Sequence, residues 1–282
     1  MKSINLSSSN LIRTPDFSRV PSLEVLDLAY CTNLVGLHPS IGQLSKLKSL
    51  DLNCCESLTN LPSLSAKMES LTSIDLSNCL KIKKIPEFKG TMKNLSQLIL
   101  SGTAIEELPP SSIECLTVLE ILDLSGCKDL KCLPSNMDSL RSLKFLNLSW
   151  CSKLANLPEN FRKIKCLERL DLTGMSQLEE IELNRIGCLS SLKYLSLRCH
   201  KFVTLPAIFS QLSKLEDLDL RNCWELLSVS ELPSTTRYIN LLHSFPFFPR
   251  YDESSGGVAF TILNRYLQVI SSFSLFDSLF TC

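Results

Sequence analysis

The sequence repeats itself at intervals of 24 residues, and this period limits the possible folds more than any other feature. Copies of L-x-x-L-x-L-x-x-C-x-x-L-x-x-L-P start at Leu23, Leu47, Leu71, Leu95, Leu119, Leu143, Leu167, Leu192 and Leu215. Only the last two steps depart from 24, at 25 and then 23. One copy shows the pattern in full: Leu143, Leu146, Leu148, Cys151, Leu154, Leu157, Pro158. Degenerate copies flank the series, with Ile4, Leu6 and Pro15 at the start and Tyr238-Ile239-Asn240-Leu241 at the end. A fixed period of this length marks one supersecondary unit stacked many times. Leu makes up roughly one residue in five, about twice ordinary usage.

The unit follows from side-chain geometry. In x-L-x-L-x the two Leu lie two residues apart, so both point to the same side of a short strand. One such strand cannot bury its Leu pair alone, but stacked copies build a parallel sheet over a continuous Leu core. The L-P step turns the chain onto the back, where segments such as Pro134 to Leu140 supply a short helix or 3-10 turn with Met137 and Leu140 inward. The expected fold class is therefore α/β. It is a leucine-rich-repeat solenoid, a horseshoe with a parallel β-sheet on its concave face and short helices, 3-10 turns and loops on its convex face. About ten repeats should occupy residues 1–242. Residues 243–282 break the pattern and are expected to form a C-terminal tail or the start of a further domain. Within them Val258 to Ile270 fits either a strand or an amphipathic helix. The first repeat opens at Met1 with no polar cap before it, so the chain is expected to be a piece of a longer protein.

Cys31, Cys55, Cys79, Cys127, Cys151 and Cys223 share one motif position, just past the strand. At that position the side chain points inward beneath the turn. A thiol there packs as a small hydrophobe and offers a weak donor to nearby backbone groups. The column reads as structural buried thiols. Neighbours spaced at the strand separation are too far apart for a disulfide. The chain has no C-x-x-C, and its only His are His38, His200 and His243, so zinc-ligand spacing is missing and no metal is expected.

The sequence contains no P-loop, no Gly-rich dinucleotide fingerprint, no G-x-S-x-G and no H-E-x-x-H. Hence no catalytic residue, no cofactor and no enzyme activity is expected. Asp27, Asp51, Asp75, Asp123, Asp171 and Asp219 form a second column, because the strands read L-D-L. They are expected on the solvent side, hydrogen-bonded locally to nearby Ser, Thr and Asn. Lys plus Arg is 29 and Asp plus Glu is 29, and this balance argues against binding nucleic acid or membrane through bulk charge. The polar first residues and reduced-thiol usage point to the cytoplasm, with the nucleus as an option.

Function should lie in outward positions that the repeat leaves free. Early copies offer Ser and Asn there. Later copies offer Phe145, Trp150, Arg169, Tyr194, Arg198, Arg221 and Trp224. Aromatics and Arg dominate protein-binding hot spots, so these seven residues form the candidate concave protein-binding patch. Trp150 and Trp224 flank the Cys turn, where packing on the rim is the alternative.

The unit L-x-x-L-D-L-S-x-C-x-x-L-x-x-L-P resembles the C-terminal repeats of plant intracellular disease-resistance receptors of the TIR, nucleotide-binding, leucine-rich-repeat type. Ser3 to Ser18 is similar to the stretch that opens their repeats. Leu100 to Ile113, L-S-G-T-A-I-E-E-L-P-P-S-S-I, is similar to their middle repeats. The resemblance implies a module that senses a protein ligand, either a pathogen effector or a host protein, and contributes to defence. It further implies that in a full-length receptor the repeats work with a nucleotide-binding domain. No TIR or nucleotide-binding sequence is present here, so neither activity carries over. The other reading is a general intracellular leucine-rich-repeat scaffold for signalling proteins. The Cys column and the 24-residue step favour the receptor.

Overall fold

The computed structural model describes residues 1–175, 177–229 and 232–244. The tail expected over 243–282, with its segment Val258 to Ile270, therefore lies outside the described residues beyond Ser244.

Each L-x-x-L-x-L motif forms a strand of three residues. Eleven of them make one parallel sheet in strict chain order: Ser3–Asn5, Val25–Asp27, Ser49–Asp51, Ser73–Asp75, Gln97–Ile99, Ile121–Asp123, Phe145–Asn147, Arg169–Asp171, Tyr194–Ser196, Asp217–Asp219 and Tyr238–Asn240. Both degenerate end copies contribute a strand, which accounts for eleven where the motif suggested about ten. Pairing is in register from coil to coil, as in Val25↔Ser49, Leu26↔Leu50 and Asp27↔Asp51. The middle residue of each strand points inward. Leu26, Leu50, Ile74, Leu122, Leu146, Leu170 and Leu195 are all completely buried, as are the flanking motif leucines. Fully burying one such side chain stabilises by about 1.5–3 kcal/mol. The core is a single cluster running from Phe17 to Leu226.

The convex side is assembled from short pieces, because the L-P step leaves few residues before the next strand. 3-10 turns lie at Pro39–Gln43, Met137–Ser139, Glu159–Lys163 and Ala207–Gln211, and α-helices at Pro110–Glu114 and Glu180–Ile186. Met137 and Leu140 are fully buried. Pro39 and Pro110 open their helices, where a missing N–H costs nothing. Two coils use a small parallel pair instead, Leu64–Ser65 with Phe88–Lys89.

The way each strand ends fixes the geometry of the concave edge. The Asp or Asn closing a strand accepts the backbone N–H two residues on, at 3.0 Å for Asp27 with Ala29, 2.9 Å for Asp51 with Asn53 and 3.0 Å for Asn147 with Ser149. The sequence suggested side-chain partners for these carboxylates. The main chain supplies most of them, because the turn brings that N–H directly over the carboxylate. The next residue then adopts a left-handed backbone, in Ser8, Tyr30, Cys54, Asn78, Gly102, Gly126, Trp150, Gly174, Cys199, Asn222 and His243 alike. That conformation aims its N–H at the following coil: Tyr30 donates to the Asn53 carbonyl and Trp150 to the Thr173 carbonyl, each at 2.7 Å.

Candidate functional site

The outward positions of the sheet fall into parallel rows, one residue per coil. The row at the strand starts reads Ser49, Ser73, Gln97, Ile121, Phe145, Arg169, Tyr194, Asp217. Its in-register pairing brings Phe145, Arg169 and Tyr194 together on consecutive strands. The Arg169 guanidinium lies 4.4 Å from the centre of the Tyr194 ring, a cation–π contact. Tyr194 is half-buried. Burial raises its phenol pKa, and the charges of Asp171 and Asp219 raise it further. Arg198 and Arg221 lie on the row just past the strands. Arg221 grips Asp219 with two nitrogens, at 2.9 Å from Nε to Oδ1 and 2.5 Å from Nη2 to Oδ2. The Arg198 Nε is buried without a hydrogen-bond partner.

The two tryptophans sit differently. Both lie at the rim where the chain leaves the sheet, rather than on the sheet face with the rest of the candidate patch. Trp150 occupies the left-handed position with φ 61° and is 54% exposed. Its indole lies over Gly174 of the next coil, where a Cβ would come within 2.4 Å of the ring. Gly174 is therefore required twice over, by its own φ of 68° and by the indole above it. Trp224 is 51% exposed and stacks on His243, with ring centres 6.1 Å apart. A bulky residue in the left-handed region costs of order 1–2 kcal/mol, and five other coils avoid it with Gly102, Gly126, Gly174, Asn78 or Asn222. The exposure of Trp150 returns little of that cost through burial.

The cysteine column lies beneath this surface. Cys31, Cys55, Cys79, Cys127, Cys151 and Cys223 are fully buried, and each thiol donates to a Leu carbonyl of the preceding coil at 3.1–3.2 Å. Burial pushes Cys55, Cys79 and Cys151 up to about 12 and Cys223 to about 11, so these four thiols stay neutral and unreactive. All twelve described cysteines are free.

The other members of the column were not legible from the Cys pattern. Thr103, Met175 and His200 fill its gaps. His200 Nε2 lies 2.8 Å from the Leu172 carbonyl, and burial lowers its pKa. A carbonyl can only accept, so that nitrogen carries the proton.

A second row also escaped the sequence reading. At the opposite edge of the sheet, alternating charges pair from coil to coil. Glu24 lies between Lys2 at 2.8 Å and Lys48 at 2.6 Å, and their hydrogen bonds hold its carboxyl down to about 2. Glu120 meets Lys144, and Glu168 meets Lys193. The signal was present as opposite charges 22 to 25 residues apart. Among the described residues no group of three or more His, Cys, Asp or Glu is arranged to hold a metal, and no helix is long and apolar enough to cross a membrane.

Stacked Leu coils with a buried thiol column and a bare concave sheet define a leucine-rich-repeat domain, a protein-interaction module on a scaffold that is typically non-catalytic. Residues 67–248 match the family described as "Disease resistance protein RPS4B-like, leucine-rich repeats", and the chain belongs to that family. No curated protein matches it. Among solved structures it is similar to the leucine-rich repeat domain of the type III effector XCV3220 (XopL), with a TM-score of 0.58 and 26% identity. That likeness covers 84% of this chain and 75% of the other.

Proposed function

We propose that the chain is the recognition module of a plant intracellular immune receptor, working in the cytoplasm or nucleus. It senses a protein ligand, either a pathogen effector or a host protein, and contributes to the defence response without catalysis. In a full-length receptor a nucleotide-binding domain of the TIR-associated type would be its intramolecular partner. Membership of the disease-resistance repeat family supports this reading.

One observation carries it. Aromatic and guanidinium side chains are gathered on the outward side of the later coils, where the earlier coils show Ser and Asn. Arg169 over Tyr194 and the exposed, strained Trp150 are not needed to close the repeat, since other coils close without them. Backbone strain on a side chain left mostly exposed, with only the Gly174 contact in return, points to a role outside the fold. Central aromatic and Arg anchors each contribute about 2 kcal/mol or more at such interfaces.

The test is the triple variant Trp150→Ala, Tyr194→Ala, Arg198→Ala, compared with the unaltered chain in plant tissue. Partner binding is expected to fall at least about thirtyfold while the fold, read by thermal melting, persists. If every partner interaction survives the triple change, the reading is wrong.

A further inference from the structure

The concave face is electrically uneven, although the chain as a whole carries 29 cations and 29 carboxylates. From Ser3 to Ser149 its outward positions carry Asp27, Asp51, Asp75 and Asp123 and no Lys or Arg, and the row along the sheet edge, with Lys2, Lys48 and Lys144 against Glu24 and Glu120, still leaves carboxylates in excess overall. From Arg169 onward the face carries Arg169, Arg198 and Arg221 with an equal number of Asp. The uncompensated charge thus belongs to the first seven coils, next to the apolar side chains of Ile121 and Phe145.

The fold does not explain that charge. Asp27, Asp51 and Asp75 stand directly opposite one another on in-register strands, and like charges so placed are destabilising. Each carboxylate does accept the N–H that closes its turn. Asn5 and Asn147 accept the equivalent N–H, at 2.9 and 3.0 Å, with no charge at all. Where the turn takes an oxygen an amide supplies it, and the coil that ends on Ile99 turns at Gly102 with no such oxygen. Burial raises the Asp51 pKa, and its neighbours Asp75 and Asp27 raise it further, so ionisation here works against the solvation of the face.

We propose that the first seven coils of the concave face dock an extended, cationic protein segment, with its Lys or Arg side chains over Asp27, Asp51 and Asp75 and its apolar end on Ile121 and Phe145. This rests on the reading of the domain as a protein-recognition module and names the chemistry of what it recognises. Charge complementarity selects the occupant, and Arg169, opposite Phe145 on the next strand, sets its direction by facing the apolar end rather than a cationic one. Five coil-to-coil steps separate the strand of Asp27 from that of Phe145. At about 4.8 Å each they span roughly 24 Å, the length of about seven extended residues.

Dye-labelled peptides of about nine residues, Lys and Ser ending in Leu-Phe, can be titrated against the whole chain alongside a counterpart with Glu for every Lys. The Lys peptide is expected to bind at least about tenfold tighter at low salt, with the preference shrinking as salt screens it. Asp51→Asn with Asp75→Asn keeps both acceptor oxygens and should remove about tenfold of that affinity, with a melting temperature unchanged or raised.

Equal affinity for the two peptides, binding of neither, or an Asn double variant that binds as before would overturn the proposal. So would a marked fall in its melting temperature, because the charge would then be structural. The receptor reading is tested separately. Loss of natural partners in the Trp150, Tyr194 and Arg198 variant, with the Lys peptide unaffected by the Asn changes, removes this inference and leaves that reading standing. If the triple variant keeps every partner, the reading itself fails.

Discussion

The first seven coils and the last four bury the same things and expose different ones. Leu50 and Leu195 hold equivalent places on the inward face, and both are completely buried. Outward from the same strands, Ser49 is replaced by Tyr194 and Asn53 by Arg198. In a solenoid each coil touches only its neighbours, so the interior must repeat while the outward positions are free to differ. Where the two halves agree, the residue serves the stack. Where they differ, it serves something the stack does not need.

The largest expected effect tests the agreement. Leu50→Ala and Leu195→Ala each remove a fully buried side chain in mid-strand, and each should cost about 2–5 kcal/mol in denaturant unfolding. The two costs should match within the spread of such sites. A near-neutral result in either half would mean that its coils are not packed into the common core.

A smaller effect separates the halves by pH. The cysteine column runs through both, and its raised pKa values work on the alkaline side. Unfolded thiols lose protons near 9, whereas Cys55, Cys79 and Cys151 hold theirs to about 12. Stability from the column is therefore complete below about 9 and is lost as pH rises towards 12. His200 acts only in the later coils and in the opposite direction. Its folded pKa is lowered by burial, so the unfolded chain binds the proton more readily below the ordinary histidine value of 6.5. Stability should then fall as pH drops below about 6.5. Hydrogen exchange should show faster opening around Leu172 and Leu197 than around Leu28 and Leu52. His200→Cys, which restores the commoner residue of the column, should remove the acid-side difference. Uniform acid opening along the whole stack would contradict this.

The same division explains how much of the molecule was legible in the sequence. The Leu spine, the parallel sheet and the inward row of Cys could be read because each is enforced at every turn, and repetition makes an enforced position visible. Thr103, Met175 and His200 were missed because the column tolerates any side chain that fills it, and a varied position leaves no pattern. The Lys2–Glu24–Lys48 ladder alternates in sign, so a search for identical residues passes over it. Trp150 was read as one of a patch with Phe145 and Tyr194, with packing on the rim as the alternative. Its place on the rim depends on a left-handed backbone that other coils mark with Gly102, Gly126 or Asn78. That clue lay in the column as a whole and not in Trp150.

The smallest effect concerns that column and sets the second coil against the seventh. Tyr30 and Trp150 share the left-handed conformation, at φ 60° and 61°, and are similarly exposed. Asn tolerates this region better than either aromatic, as Asn78 and Asn222 show in the same stack. Tyr30→Asn should therefore raise stability by about 0.5–1 kcal/mol, because it relieves the backbone and forfeits little packing. Trp150→Asn relieves the backbone equally but strips the indole from Gly174, so its gain should be smaller or reversed. The difference between the two melting shifts isolates the indole's contact with the next coil. If Trp150→Asn stabilises as much as Tyr30→Asn, that contact holds nothing together, and the indole is retained only for a partner outside the stack.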